Sequence, residues 1–287
     1  MKIAFLFLII DNPHFTDIWD EYFKGNEDKY TIYIHPKYPE KHIWKPECII
    51  KELKETKWGF ITRAYTELIR EAYKDKDNYK FITVSESCLP IKPFNVLYDE
   101  IMSNDDSYIK RMLITKYDCQ ERIKKHIEAV KDTDIIIPDK YSFMKNYARF
   151  CLSRYHANKL LIADKEGRME FFNTMHVGDE FFLTVLQPLD KYKDFAITFD
   201  DWAYVKKAVK KINIKIEKLY ELQETKHINE NDKIQELRKL KEDIAKNPKT
   251  IIKVTKQDLL QMRETKSFFY RKFGKDSNIE KYIKKFI

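Results

Sequence analysis

Three stretches of this 287-residue chain place reactive side chains where chemistry is feasible. In His176-Val177-Gly178-Asp179-Glu180-Phe181-Phe182, two carboxylates sit among phenylalanines, with Phe171 and Phe172 close by in sequence. A carboxylate in so apolar a setting can have its pKa raised towards neutrality, which suits Glu180 to act as a general base. The same pair can simply cap a helix and complement its dipole, and the residue types alone favour the cap. His35-Pro36-Lys37 follows the apolar run Tyr30–Ile34, and Ser85-Glu86-Ser87-Cys88-Leu89-Pro90 follows Tyr79–Val84. Open α/β sheets bind ligands beyond the carboxyl ends of their strands, so both turns are candidate ligand walls, and both read equally as ordinary strand endings. Asp132-Thr133-Asp134 has the spacing of a metal-binding carboxylate pair. It precedes the apolar run Ile135–Pro138 instead of following a strand, which is the wrong end for a ligand site.

The elements that must position these groups are legible in the hydrophobic pattern. Strands are expected over Lys2–Ile10, Tyr30–His35, Tyr79–Val84, Ser107–Arg111, Asp134–Ile137 and Phe195–Phe199, alternating with helices over Thr16–Phe23, Gly59–Tyr73, Phe94–Met102, Ser153–Ala163 and Asp179–Leu186. Nearly continuous apolar strands need cover on both faces, so the fold class is α/β with a mostly parallel, Rossmann-like sheet flanked by helices. Val205, Val209, Ile212, Ile216 and Leu219, then Ile234, Leu237, Leu240 and Ile244, repeat at helical spacing around a polar break at Asn229–Asp232, the pattern of a helical hairpin. A strand at Thr250–Val254 and helices at Lys256–Met262 and Asn278–Phe286 close the chain. The expected organisation is a core over 1–204, a charged hairpin over 205–247 and a C-terminal segment over 248–287.

Composition narrows the function. With 43% hydrophobic and 14% aromatic residues the chain can build a core, and with only 5 glycines it lacks a glycine-rich phosphate loop. Residues 203–287 carry 23 basic and 12 acidic side chains and account for the net charge of +8. Their alternation in sign on amphipathic helices reads as a solvated face, so nucleic acid is not an expected partner. Cys48, Cys88, Cys119 and Cys151 form no CxxC pair, which argues against a disulfide framework or structural zinc and for a reducing compartment. The longest apolar run, Ile3–Ile10, is too short to span a bilayer. His14, His42, His126, His156 and His227 show no ligand spacing.

Taken in order, these pieces resemble the core-2/I-branching glycosyltransferase family, which includes the peptide xylosyltransferases. Lys2–Leu8 is similar to the family's first strand, and Tyr33–Lys37 to its histidine after strand two. Trp58-Gly59, Arg63-Ala64 and Leu68-Ile69 resemble its tryptophan-led helix, and Phe81–Ile91 its "LSESCxPL" turn. Leu152–Ala157 resembles "LSRxxA", Asp179–Thr184 the Asp-Glu pair, Trp202 and Tyr204 the acceptor-side aromatics, and Phe268–Phe273 the closing "LFaRKF". The resemblance covers 1–204 and 249–287 and leaves 205–247 as an insertion. Arg149-Phe150-Cys151 departs from it, standing where many members have a Gln-Trp pair.

The resemblance implies a GT-A fold and an inverting transfer of a sugar, GlcNAc or xylose, from a UDP-sugar to a hydroxyl of a glycan or glycoconjugate acceptor, forming a β-linkage without metal or other cofactor. Glu180 takes the role of base. His35, Lys37, Ser85 and Glu86 line the donor, Arg271 and Lys272 hold the diphosphate with Lys249 or Lys253 as a second contact, and Asp179, Trp202 and Tyr204 face the acceptor. Trp and Tyr offer the flat apolar face and polar handle that a sugar ring requires. Eukaryotic members are Golgi proteins with an N-terminal anchor. Because this chain opens on its first strand, a cytoplasmic protein of a microbe or large virus is expected. A second reading is an inactive transferase-like module acting through the basic hairpin on a protein or nucleic acid, and the hairpin is equally suited to joining two copies of the chain. Retention of both Glu180 and Lys272 argues for the enzyme.

Overall fold

The structure is a computed structural model, and it describes residues 1–112, 114, 117–139, 142–226, 231–245 and 248–287. In chain order the elements are β1 (Lys2–Ile9), α1 (Thr16–Phe23), β2 (Tyr30–Pro36), α2 (Thr62–Tyr73), β3 (Asn78–Ser85), β4 (Leu89–Pro90), α3 (Phe94–Met102), β5 (Ser107–Tyr108), β6 (Arg111–Met112), α4 (Tyr117–Val130), β7 (Lys145–Asn146), β8 (Cys151–Ser153), α5 (Arg154–Lys165) and α6 (Glu170–Thr174). After these come β9 (Tyr192–Lys193), β10 (Thr198–Asp200), α7 (Trp202–Lys226), α8 (Asn231–Ala245), α9 (Lys256–Glu264), β11 (Phe269–Arg271) and α10 (Glu280–Ile283).

Six strands form the central sheet in the order β2-β1-β3-β8-β5-β9. The strands β2, β1 and β3 run parallel, and β8 alone is antiparallel to both its neighbours. Side chains alternate across a strand, and in β1 this sends Ile3, Phe5 and Phe7 to one face and Ala4 and Leu6 to the other. The first face packs on Trp19 and Phe23 of α1 and on Phe94 and Leu97 of α3. The second packs on Tyr65 and Leu68 of α2 and on Leu160 of α5. Burying both faces is what a run as apolar as KIAFLFLI demands. A smaller sheet, β10-β11-β4, closes beside the first.

Several expectations change. Asp134–Ile137 and Thr250–Val254 form no strands; Ile251 makes only an isolated bridge to Phe273. Ser107–Arg111 divides between β5 and β6, which belong to different sheets. The helix expected over Asp179–Leu186 is two 3-10 turns, Gly178–Glu180 and Phe182–Leu186, separated at Phe181. The backbone enters the first turn through Val177 at φ 60°, and at Gly178 a Cβ would lie 2.0 Å from the Phe172 carbonyl oxygen, so only glycine fits. The hairpin helices α7 and α8 pack through Ile212, Ile216, Leu219 and Ile234, with Leu237 and Ile244 against them. Leu240, expected on that face, is exposed. Residues 227–230 and 246–247, including His227, lie outside the described residues.

Near the C-terminus, Thr255 and Asp258 form a reciprocal capping box at the start of α9. Thr255→Ala is expected to lower stability by ~1 kcal/mol, read as a lower denaturation midpoint in urea; an unchanged midpoint contradicts this cap.

Candidate active site

Strand direction gathers the reactive groups at one edge. Glu86 follows the carboxyl end of β3. Because β8 runs the opposite way, the residues before it lie at that same edge: the Thr83 and Phe150 backbones and the Thr83 hydroxyl are hydrogen-bonded across the two strands, at 2.9 to 3.2 Å. Asp200 and Arg271 are register partners at the carboxyl ends of β10 and β11, and Phe273 donates its backbone N–H to the Ser87 carbonyl at 3.1 Å. Glu86, Arg149, Asp200, Arg271 and Lys272 therefore meet, and each of the other four acts electrostatically on Lys272.

Arg271 Nη1 donates to Asp200 Oδ1 at 3.1 Å. Lys272 is half-buried. Burial pushes its ammonium below the usual lysine range, with Arg271 and Arg149 adding to the effect and Glu86 and Asp200 opposing it. Ser85 is buried, its hydroxyl 3.1 Å from Cys88 Sγ. His35 is buried too; its Nε2 accepts the Lys54 backbone N–H at 2.9 Å, and burial drives its pKa down to about 4, so the ring is neutral with its proton on Nδ1.

Asp179 is buried and Glu180 is not. Burial, and then the Glu180 charge, raise the Asp179 pKa to about 6, and among the described residues its Oδ1 has no partner. The apolar setting expected for Glu180 thus belongs to its neighbour, because the 3-10 turn points the two carboxylates differently. Glu180, with a third of its side chain exposed, pairs with Lys145 at 2.8 Å. Gly59 carries φ +81° and accepts the Val177 N–H, tying the loop of the exposed Trp58 to this turn. The Trp58 ring lies 5.1 Å from that of His176.

Between about pH 4 and pH 6 the folded chain holds an Asp179 proton that the unfolded chain has released, so stability falls as pH rises through that window and levels off above it. Asp179→Asn should remove this slope. Urea unfolding across the window checks it, and a retained slope contradicts the burial of this carboxylate.

The other expected site residues have surroundings of their own. Lys37 is exposed, its ammonium 5.3 Å from the Tyr38 ring centroid. Lys249 is ion-paired with the fully buried Asp258 and lies 5.4 Å from the Tyr204 ring centroid, while Lys253 is exposed. Trp202 and Tyr204 occupy the first turn of α7, where Asp201 Oδ1 accepts the Tyr204 N–H at 3.0 Å. Asp132 and Asp134 are exposed after α4, and among the described residues no three His, Cys, Asp or Glu side chains gather where they could hold a metal ion. His14, His42 and His156 are engaged, with Phe273 O, Asp11 O and Ser107 Oγ.

From sequence, Lys145 and Tyr147 receive no site role, and Arg149 stands out only as a departure from the family pattern. Arg149 is buried and donates to the Tyr65 hydroxyl at 2.8 Å. Burial raises the Tyr147 pKa, as does Asp200, while Lys110 and Lys145 oppose, so Tyr147 lies within electrostatic reach of both Asp200 and the lysine that pairs with Glu180. A search confined to residues following strands passes over groups that precede an antiparallel one. The available signal was the spacing of these three at every second position before the apolar Phe150-Cys151-Leu152.

A family model described as Core-2/I-Branching enzyme matches residues 3–226. The chain belongs to that family. It is also 29% identical over 181 residues to Glycosyltransferase BC10 of Oryza sativa subsp. japonica, an alignment covering 59% of this chain and 42% of that protein. The chain thus spans about two fifths of that relative's length. Family and relative are both those of glycosyltransferases. In this core-2/I-branching family member the match takes in the central sheet, Glu180 and the whole of α7, whereas Lys249, Arg271 and Lys272 lie beyond it. Among the described residues no helix is long and apolar enough to cross a membrane.

Proposed function

We propose that this chain transfers a sugar, GlcNAc or xylose, from a UDP-sugar to a hydroxyl of a glycan or glycoconjugate, with inversion to a β-linkage and without a metal ion. The observation that carries this reading is, in a member of this family, a cation-rich cluster at a strand-terminal edge, with Tyr147 under the influence both of its Asp200 and of the Lys145 that pairs with the part-exposed Glu180. Inverting transfer needs a base for the acceptor proton, in-line approach to the anomeric carbon, and positive charge for the departing diphosphate.

Glu180 takes the acceptor proton as the hydroxyl oxygen attacks the anomeric carbon from the face opposite the leaving group. Lys145 holds the carboxylate in place. The bond from the anomeric carbon to the β-phosphate oxygen breaks, and UDP leaves with the electron pair against Lys272 and Arg271. His35, Ser85 and Glu86 line the donor side; Asp179, Trp202 and Tyr204 line the acceptor side.

Calorimetric titration with UDP in EDTA, repeated with manganese, tests this reading. Micromolar binding in EDTA supports it. Binding only with manganese overturns the metal-free part, and no binding in either buffer overturns UDP as the donor nucleotide.

A further inference from the structure

Arg149 is 9% exposed, and its permanently charged guanidinium has no ion-paired carboxylate among the described residues. Nη1 donates to the Tyr65 hydroxyl at 2.8 Å and to the Ala148 carbonyl at 3.0 Å, and Nε has no partner. A charge removed from water without a counter-ion is costly, which makes the arrangement unusual for a structural residue. Neighbouring cations are provided for: Arg271 has Asp200, Lys145 has Glu180 and Lys249 has Asp258. Asp200 and Glu86 act on Arg149 from a distance, Arg149 acts likewise on the buried Asp179 without pairing with it, and Asp200 is already engaged by Arg271. Lys272 adds a further cation that forms no ion pair among the described residues, and Arg149 is close enough to help depress its pKa. The edge therefore carries two unpaired positive charges beside a paired one, complementary to a ligand with several negative charges.

We propose that Arg149 is a diphosphate-binding residue, acting with Lys272 on the phosphate oxygens of the nucleotide in the role expected of Lys249. This rests on the reading that the site takes a nucleoside diphosphate. Lys249 is poorly free to serve: Asp258 is fully buried, its Oδ1 accepts from Lys249, and its Oδ2 accepts from the Thr255 backbone and hydroxyl. Moving Lys249 to a phosphate would strip a buried carboxylate of its counter-ion. Arg149 can offer the edge formed by Nε and Nη2, neither of which has a partner among the described residues, while Nη1 keeps Tyr65 and Ala148, and a guanidinium fork matches phosphate geometry.

The test compares the unmodified chain with Arg149→Gln, which is neutral but keeps hydrogen-bonding capacity, and with Arg149→Lys. UDP binding is measured by calorimetry in EDTA over a range of salt, and uridine, which has no phosphate, by ligand-observed NMR. Arg149→Gln should weaken UDP by about 10- to 100-fold and flatten its salt dependence, with uridine changed less than about threefold. Arg149→Lys should recover part of the loss, and ligand-free melting of the glutamine variant should not be lowered. If the glutamine variant does not fold, Arg149→Lys remains informative, with an expected loss of about 3- to 10-fold for a point charge in place of the fork. Unchanged UDP affinity in the folded variants, while Lys272→Ala loses it, overturns the role of Arg149 and leaves the diphosphate site standing. Parallel losses for UDP and uridine overturn it in favour of a structural role. Failure of the unmodified chain to bind UDP, GDP, CDP or ADP overturns it together with the reading beneath it.

Discussion

Glu180→Gln is expected to lower turnover by about 10²- to 10⁴-fold while leaving the affinity for UDP within about twofold. The amide keeps the size of the side chain, and its oxygen can still accept from Lys145, but it cannot take a proton. The loss should therefore fall on kcat, since in the proposed mechanism Glu180 acts on the acceptor hydroxyl while Lys272 and Arg271 act on the diphosphate. Asp179 is a poor substitute. It is buried, out of reach of an acceptor hydroxyl, and Asn146 Nδ2 donates to its backbone carbonyl at 3.4 Å, which anchors the turn. Steady-state kinetics on the two proteins decide the matter: near-normal turnover in Glu180→Gln removes this residue from the chemistry.

Lys272→Ala should weaken UDP binding by about 1.5–3 kcal/mol, or roughly 10- to 150-fold in Kd. A charge-assisted contact to phosphate is worth more in a half-buried site than on an open surface, because water competes less for it. The ligand-free site resists the Lys272 charge through burial and through Arg271 and Arg149. A bound diphosphate relieves that repulsion, so UDP binding should be accompanied by proton uptake at alkaline pH. Calorimetry in buffers of different ionisation enthalpy reads both the affinity and the proton. An unchanged affinity in Lys272→Ala would show that the diphosphate binds elsewhere.

The long elements were legible because their patterns are strong. β1, β2, β3 and α1 to α3 announce themselves through apolar runs and helical periodicity, and their ends fall within three residues of expectation. β4, β8 and β11 are two or three residues long and exist because neighbouring strands pair with them, so no local pattern marks them. Asp179–Leu186 has helical spacing of apolar residues, yet the left-handed Val177 and the contact at Gly178 impose a tighter turn. At the site, the carboxylate pair and the closing Arg271-Lys272 were visible as motifs. Their partners were not: Lys145 reaches Glu180 from 35 positions earlier, and Asp200 meets Arg271 only through the pairing of β10 with β11. The fully buried Lys80 shows the same limit, since its ammonium is satisfied by the Asp106 carbonyl at 2.6 Å across the fold.

Inverting transfer from a nucleotide-sugar is the reaction to which every residue role above is tied. The most direct measurement incubates the chain in EDTA with UDP-GlcNAc or UDP-xylose and a panel of glycan acceptors, following UDP release and reading the anomeric configuration of the product by NMR. UDP release with a β-linked product is expected, both lost in Glu180→Gln. No release from either donor, or a product that keeps the donor's α configuration, would contradict it.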